Sequence, residues 1–279
     1  KNFSKDLNLD AIYRTLIFQW NPGNETILEE VQKLESGTYI KIKNNKIIDS
    51  KIFWKYPDYS PTQDTVDYHI QNVQKSLEES VIEQLVSDVQ VGSLLSGGLD
   101  SSLISSIASK YNPEIQCFTI DADKNMLKKE GIENDLPYAK KVAKFLDLDL
   151  DEININPDIV KLLPEIIYHL DELQGDPAAI NMYLICKKAR SKGIKVLLSG
   201  AGGDDIFSGY RRHNAITKDY LFKIIPGFLL KAMNSFIDII PSRNPLLRKI
   251  KKFFRYLHLD VNERILSYFF WLDPEVAKS

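Results

Sequence analysis

The sequence predicts an α/β fold in which a parallel, twisted sheet carries helices on both faces. Between residues 66 and 198, short apolar runs rich in branched side chains alternate with segments whose apolar residues recur every three or four positions. Strands that alternate with helices in this way favour a parallel sheet. Hydrophobic residues make up 44% of the 279 positions, which is enough to form a core around such a sheet.

The first part of the chain, to about Tyr56, predicts short strands and turns. Residues 38–42 alternate as in a half-buried strand, and Asn44-Asn45 predicts a hairpin turn before residues 46–48. The segment that follows Tyr56 contains two prolines and a serine, which indicates a linker. We therefore expect a small β-rich N-terminal segment of residues 1–57, too small to hold a core alone.

The larger part of the chain contains the alternating elements. The predicted helices cover residues 66–85, 99–110, 137–146, 159–170 and 180–191, and the predicted strands cover residues 89–95, 115–120, 150–155 and 195–198. Pro164 is expected to interrupt the helix that contains it. Residues 211–255 predict a helical C-terminal part with a surplus of Lys and Arg, which indicates a solvated surface or, alternatively, a docking face for an anionic partner.

Composition excludes several classes of protein. A net charge of −2 argues against a protein that works by wrapping nucleic acid. The apolar stretches are too short to cross a bilayer, so no membrane partner is expected. Two cysteines cannot form a disulfide framework or a four-cysteine zinc site. No secretory signal is visible, so we expect a cytoplasmic protein, and the start without Met suggests a fragment.

The most informative segment is residues 94–102, Leu-Leu-Ser-Gly-Gly-Leu-Asp-Ser-Ser, which follows a predicted strand and opens a predicted helix. Small residues let main-chain N–H groups approach an anion, and the helix dipole adds positive charge there. Ser96, Ser101 and Ser102 can donate to phosphate oxygens. Asp100 would repel a bare phosphate, which indicates a Mg²⁺ ion between them. The alternative is a glycine-rich turn in which Asp100 only favours the start of the helix.

A second loop, residues 198–210, also follows a predicted strand. Its glycines allow close approach of the backbone, and its adjacent acids, Asp204 and Asp205, invite a second contact with Mg²⁺. Ions held by Asp100 and Asp204 could clamp a leaving pyrophosphate from both sides. The alternative is a turn whose acidic residues cap a helix.

These segments carry a family resemblance. The loop of residues 94–102 resembles the pyrophosphatase loop of the ATP pyrophosphatases, and the loop of residues 198–210 resembles the asparagine synthetase signature Ser-Gly-x-Gly-x-Asp-Glu-x-Phe-x-Gly-Tyr. Further parts of that glutamine-hydrolysing family are resembled by residues 26–34, 37–39, 171–172 and 176–180. The resemblance implies an adenine nucleotide alpha hydrolase-like fold. Residues 1–57 would be the tail of a glutaminase domain with its connector, and residues 58–279 the synthetase domain, which we expect to be truncated at its C-terminus.

The resemblance also implies a function. ATP, with Mg²⁺, would adenylate a carboxylate, aspartate first of all, and ammonia would then displace AMP to give the amide, here asparagine. The ammonia would come from a glutaminase domain that we expect to be absent from this chain, and a homodimer is left open. Leu94 and Ile120 would line the adenine site. The remaining nucleotide contacts would be Ser96, Gly97, Gly98, Ser101, Ser199 and Gly200. Asp100 and Asp204 would bind Mg²⁺. The catalytic residues would be Asp100, Asp204 and Asp205.

Three departures from the family pattern leave the acceptor open. Ala201 stands where many asparagine synthetases have a Glu near the reacting carboxyl group, Asp205 replaces Glu, and Ser208 replaces Gly. A related amidotransferase that acts on another carboxylate, such as a sugar uronate in surface polysaccharide synthesis, is the alternative. A tRNA-modifying ATP pyrophosphatase is disfavoured, because thiolating versions need closely spaced cysteines. A nonenzymatic relic that binds nucleotide is the third hypothesis.

Overall fold

The fold is described by a computed structural model that covers residues 4–121, 134–155, 159–218 and 255–278. Its strands are β1 (Thr38–Lys43), β2 (Lys46–Ile52), β3 (Val91–Leu94), β4 (Cys117–Asp121), β5 (Leu150–Asn154) and β6 (Val196–Leu198). Its helices are α1 (Leu9–Phe18), α2 (Val66–Leu85), α3 (Leu99–Tyr111), α4 (Leu136–Leu146), α5 (Ile159–Leu170), α6 (Ala178–Ser191), α7 (Gly203–Ile206), α8 (Arg211–Lys218), α9 (Val261–Ser267) and α10 (Pro274–Ala277).

The main sheet has four parallel strands in the order β5-β4-β3-β6. From β3 the chain moves outward through β4 to β5, and it then returns to place β6 on the other side of β3. The strand order therefore reverses between β3 and β6. In open sheets of this type, ligands bind beyond the carboxyl ends of the strands at such a reversal.

Helices cover both faces of the sheet, as the sequence predicted. Cys117 and Phe118 are neighbours in β4, so their side chains point to opposite faces of the sheet. Both are fully buried, which shows that both faces are covered. Cys117 packs against Ala139 of α4, and Phe118 packs against Ile185 of α6. The parallel sheet with helices on both faces is thereby confirmed.

Most predicted elements are confirmed, and in the parallel sheet and its helices their ends coincide with the prediction or shift by one or two residues. Pro164 is an exception, because it lies inside α5 without ending it. Proline removes one backbone hydrogen bond, and the burial of Ile166 on the same helix offsets part of that cost. Of the helical part predicted for residues 211–255, the structure describes α8, while most of this basic segment lies outside the described residues. Helices α9 and α10 follow beyond the predicted range.

The N-terminal segment contains the predicted hairpin and one helix that was not predicted. Asn44 and Asn45 have φ angles of 52° and 58°, which a two-residue type I′ hairpin turn requires. The prediction that residues 38–42 are half-buried was wrong, because all but Thr38 are exposed. Helix α1 begins where the Asn8 side chain accepts a hydrogen bond from the Ala11 N–H.

The chain divides into two compact units. The first unit comprises Lys1–Leu77, Val160–Ala179 and Trp271–Ser279. The second unit comprises Glu78–Ile159 and Ile180–Phe270. The boundary at residue 57 rests on the family resemblance and stays a prediction. None of the described helices combines the length and the apolar character needed to cross a membrane.

Burial of Cys117 predicts a loss of stability at high pH. Burial is the main cause that raises the pKa of this thiol to about 11. The folded chain therefore keeps a proton that the unfolded chain loses above about pH 9. This stabilising contribution is complete below pH 9, and we expect about 2 kcal/mol of it to be lost as the pH rises to 11. Urea unfolding at several pH values measures the slope.

The matched variants are Cys117→Ala and Cys186→Ala. Cys117→Ala should flatten the fall in the free energy of unfolding between pH 9 and 11. Cys186→Ala should flatten it less, because Cys186 is exposed and burial raises its pKa to a smaller extent. Parallel curves for wild type and Cys117→Ala would contradict the prediction.

Candidate functional site

The two glycine-rich loops leave neighbouring strands at the same edge of the sheet. β3 and β6 pair in parallel, with Ser93 opposite Leu198 one residue before β3 ends. Because the strands run in the same direction, residues 95–98 and 199–202 emerge side by side. This is the point at which the strand order reverses, where a ligand site is expected.

The first loop is closed by its own serines. The Oγ atoms of Ser96 and Ser101 lie 2.9 Å apart, and the Ser96 N–H donates to Ser101 Oγ at 3.2 Å. The Gly98 N–H donates to Ser96 Oγ at 3.3 Å. These two predicted phosphate contacts therefore also shape the loop, because they hold it against the first turn of α3. Ser102, whose hydroxyl was also a candidate donor, has a buried Oγ without a hydrogen-bond partner among the described residues.

Gly97 fits a position that no other residue can occupy without strain. Its φ is 84°, and a Cβ atom there would overlap the backbone N of Ala139 and lie 2.6 Å from the carbonyl carbon of Tyr138. The start of α4 therefore lies against the first loop. Sequence reasoning missed this neighbour, since nothing local in residues 136–139 signals the contact.

The N-terminus of α3 has no side-chain cap. Gly98 is the N-cap residue and makes no side-chain capping hydrogen bond. The N–H groups of the first helical turn point along the axis with the positive end of the helix dipole. Asp100 lies in that same first turn. A nucleotide phosphate at this end would meet N–H donors, and a divalent cation would be needed to bridge it to the Asp100 carboxylate.

The second loop lies directly on the first. A Cβ atom at Gly200 would lie 2.7 Å from the Ser101 backbone N, and one at Gly203 would lie 2.6 Å from Asp100 Cγ. Both distances are too short for a real side chain, so only glycine allows this approach. The structure thus brings Asp100, Ser101 and Gly200 together, as the site prediction required. Gly203 was not among the predicted residues, although its place in a Gly-Gly pair is a signal that could have found it.

The acidic residues Asp100 and Asp204 lie against glycines of the second loop. The Asp100 carboxylate lies against Gly203, and Asp204 follows that glycine in the chain. The Asp204 carboxylate in turn packs against Gly209, whose N–H donates to the Asp204 carbonyl at 2.9 Å. Among the described residues, no three His, Cys, Asp or Glu side chains gather in a way that could hold a metal. Mg²⁺ commonly needs only one or two carboxylates, because phosphate oxygens and water complete its shell.

The remaining predicted nucleotide contacts lie near the ends of β3, β4 and β6. Leu94 pairs with Phe118, and Ile120 follows two residues later, so both lie on the face that α6 covers. Both are partly buried against the Phe118 cluster. Ser199 begins the second loop, where its Oγ accepts a hydrogen bond of 3.1 Å from the Ala201 N–H.

Asp205 lies near Arg212, which was not among the predicted site residues. Its Oδ1 lies 3.9 Å from Arg212 Nη2. The Arg212 guanidinium stacks 3.8 Å from the ring centroid of Tyr210 and 5.1 Å from that of Phe269. The Arg-Arg-His sequence of residues 211–213, directly after the second loop, was the available signal, while the part played by Phe269 could not be foreseen.

Ser208 is held in a strained backbone conformation. Its φ is 59°, in the left-handed region that favours glycine, the residue that Ser208 replaces in the family resemblance. Ser208→Gly should therefore raise the free energy of unfolding by about 0.5–1 kcal/mol, because the relieved strain exceeds the extra backbone entropy of glycine. Urea unfolding checks the gain. Ser208→Ala is the control, since it removes the hydroxyl and keeps the strain; an equal gain in both variants would contradict the argument.

Comparisons with known proteins agree on one family. A family model described as asparagine synthase matches residues 72–271. Asparagine synthetase [glutamine-hydrolyzing] 1 of Bacillus subtilis (strain 168) is 31% identical over 238 residues, which are 85% of this chain and 36% of that protein. A putative asparagine synthetase [glutamine-hydrolyzing] of Mycobacterium tuberculosis (strain ATCC 25618 / H37Rv) is 29% identical over 246 residues, 86% of this chain and 36% of that protein. The chain thus spans about a third of the length of these relatives.

Among solved structures, a glutamine-dependent NAD+ synthetase from Acinetobacter baumannii in complex with ADP overlaps with 82% of this chain and 45% of its own. The sequence identity is 16% and the TM-score is 0.34. A likeness of this size carries no argument about the fold or the site.

Proposed function

The chain belongs to the asparagine synthase family, and we propose that it performs ATP-dependent amide synthesis, in which a carboxylate is adenylated and ammonia then displaces AMP. The resemblance noted in the sequence is confirmed by the family match over residues 72–271. The activity itself is proposed for the whole protein, because the region that matches this chain is about a third of the length of the relatives.

One observation carries the proposal. The glycine-rich loops after β3 and β6 touch where the strand order reverses, with Gly200 on the backbone of Asp100 and Ser101. This contact places an uncapped helix N-terminus, a carboxylate and a second glycine loop within one small region of one unit. A polyphosphate needs N–H donors and a cation ligand close together, and this region offers both.

In the first step, an oxygen of the acceptor carboxylate attacks the α-phosphorus of ATP. The bond from the α-phosphorus to the bridging oxygen breaks, and that oxygen leaves with pyrophosphate. The first-turn N–H groups of α3, supported by the loop that Ser96 and Ser101 close, would bind phosphate oxygens. Because negative charge grows on the leaving pyrophosphate, donors fixed in advance lower the barrier more than donors that must reorganise.

Asp100 and Asp204 are the proposed ligands of Mg²⁺. When bound, the ion would neutralise charge on the phosphates and on the leaving pyrophosphate. The Asp100 carboxylate lies against Gly203, and the Asp204 carboxylate lies against Gly209. Asp205 remains a predicted catalytic residue, with its carboxylate near Arg212.

In the second step, the nitrogen of ammonia attacks the acyl carbon, the bond to AMP breaks, and the nitrogen loses a proton. Ala201 cannot accept that proton, so this chain would carry out the step without an acid side chain at position 201. The ammonia would come from a glutaminase domain that is predicted to lie outside this chain. That supply and a homodimer both stay predictions.

The proposed acceptor is aspartate, with asparagine as the product. The second candidate is another carboxylate, such as a sugar uronate, and the presence of Ala201 in place of Glu favours considering it. The test measures AMP and pyrophosphate formed from Mg-ATP and ammonium with aspartate, with a uronate, or with neither, so that ammonium replaces the glutaminase. Aspartate-dependent AMP with asparagine supports the proposal, whereas AMP only with the uronate transfers the function to the second candidate. ATP binding without AMP under any condition would overturn both.

A further inference from the structure

Two buried polar atoms beside the second loop have no hydrogen-bond partner among the described residues. They are Arg212 Nε and His213 Nδ1. Buried polar atoms are nearly always hydrogen-bonded in folded proteins, so two adjacent exceptions point to a group that the described residues do not supply. Neither residue has a part in the two-step chemistry described above.

The Arg212 guanidinium is held in place yet remains reachable. The rings of Tyr210 and Phe269 lie 3.8 Å and 5.1 Å from its central carbon, which fixes the plane of the group. The side chain is 32% exposed, so a ligand can approach it. Fixing the plane in advance lowers the entropy that a ligand would otherwise lose on binding.

Asp205 lies near Arg212 but does not form a hydrogen bond with its guanidinium. Asp205 Oδ1 is 3.9 Å from Nη2, which is beyond hydrogen-bond distance, and the Asp205 side chain is 61% exposed. An exposed pair at this separation is weak. This distance nevertheless places the Arg212 side chain near the second loop, because Asp205 follows Asp204 directly in α7.

His213 shares the support of Tyr210. The two rings meet edge-on with centroids 5.4 Å apart, and the backbone N–H of His213 donates to the backbone carbonyl of Tyr210 at 3.0 Å. Tyr210 therefore braces both the guanidinium and the imidazole. The result is a guanidinium and an imidazole beside the second loop, each with one buried nitrogen that has no partner among the described residues.

We propose that Arg212 and His213 form a subsite for a carboxylate of the acceptor that is not the one adenylated. This inference rests on the proposed function and names the chemical class of its acceptor, a dicarboxylate. A guanidinium edge donates two parallel N–H bonds, which match the two oxygens of a carboxylate. A carboxylate held in this way has its lone pairs engaged and is a poor nucleophile, so it suits a group that orients the acceptor. A uronate with a single carboxylate would leave the subsite empty.

The test compares the binding of aspartate with that of β-alanine, which lacks the α-carboxylate of aspartate. Calorimetry on the full chain, with Mg²⁺ and a non-hydrolysable ATP analogue present, measures both. We expect aspartate to bind at least about tenfold more tightly than β-alanine. Arg212→Met keeps an apolar stem between the two rings and should weaken aspartate binding about 10- to 100-fold, with β-alanine and the ATP analogue unaffected. Arg211→Met, the exposed neighbour, is the matched control and should change neither.

Arg212→Lys guards against a folding artefact, because it keeps the charge and loses the planar fork. It should weaken aspartate binding by less than Arg212→Met while the thermal melting curve stays that of the wild type. Aspartate binding that is absent, or equal in wild type and Arg212→Met, would overturn the subsite. So would a loss of affinity for the ATP analogue instead, since that result would assign Arg212 to a phosphate.

The subsite and the proposed function can fail separately. If aspartate binds through Arg212 and no acceptor yields AMP, the function fails and the subsite stands. If AMP forms with a uronate and aspartate does not bind, amide synthesis stands and the dicarboxylate subsite is overturned.

Discussion

Asp100→Asn is expected to lower the rate of AMP formation about 100- to 1000-fold. The substitution keeps the size of the side chain, so its packing on Gly203 is preserved. It removes the negative charge that the proposal assigns to Mg²⁺, and the growing charge on pyrophosphate would then lose its main stabilisation. The assay with Mg-ATP, ammonium and aspartate measures the rate directly.

Asp88→Asn is the matched control for this experiment. Asp88 is exposed and lies three residues before β3, outside the proposed site. Its replacement should leave the rate within about twofold, because surface substitutions of this kind have small effects. A wild-type rate in Asp100→Asn would remove Asp100 from the mechanism. A similar large loss in both variants would trace the effect to general electrostatics or folding.

Gly200→Ala is expected to abolish nucleotide binding, with a loss of at least about 100-fold in affinity for Mg-ATP. The new Cβ would lie 2.7 Å from Ser101 N and 2.8 Å from the Asp100 carbonyl carbon, and backbone atoms cannot rotate away as a side chain can. The two loops must then separate. A lost hydrogen bond to a charged phosphate costs about 1.5–3 kcal/mol, which corresponds to about 10- to 100-fold in affinity, so the loss of more than one such bond accounts for the expected decrease. The overpacking itself costs about 1–3 kcal/mol of stability. Calorimetric titration with Mg-ATP and urea unfolding give the two quantities separately.

Gly193→Ala provides the comparison for stability alone. Gly193 has a φ of 84°, and a Cβ there would meet nothing within 4 Å. The variant should lose about 1 kcal/mol through backbone strain and keep its affinity for Mg-ATP. Normal affinity in Gly200→Ala would show that the loops do not need this contact to bind nucleotide.

Several features of the fold were readable from short stretches of sequence. The apolar period predicted α3, α4 and α6, and Asn44-Asn45 predicted the hairpin turn. Both depend on local backbone and side-chain chemistry within about ten residues. Helix α1 was missed because Ile12, Thr15 and Ile17 are β-branched and favour strands, whereas burial of one face and the Asn8 cap select a helix.

The candidate site was predicted in the same local way. Each loop was recognised from glycines and acids at the end of a strand, and the family signature joined the two. The site residues still stand as predictions, but their proximity now has a physical basis in the pairing of β3 with β6.

The alternation of strands and helices, the hairpin, both loops and the family can be predicted from the sequence, because these depend on residues close together in the chain. The position of β6 beside β3, the contact of Gly200 with Ser101 and the stacking of Phe269 on Arg212 are known from the tertiary structure alone. These pairs are separated by about 60 to 100 residues, and no local pattern encodes which distant element a residue will meet. Strand order and side-chain packing select those partners by burying apolar surface in one particular arrangement among many.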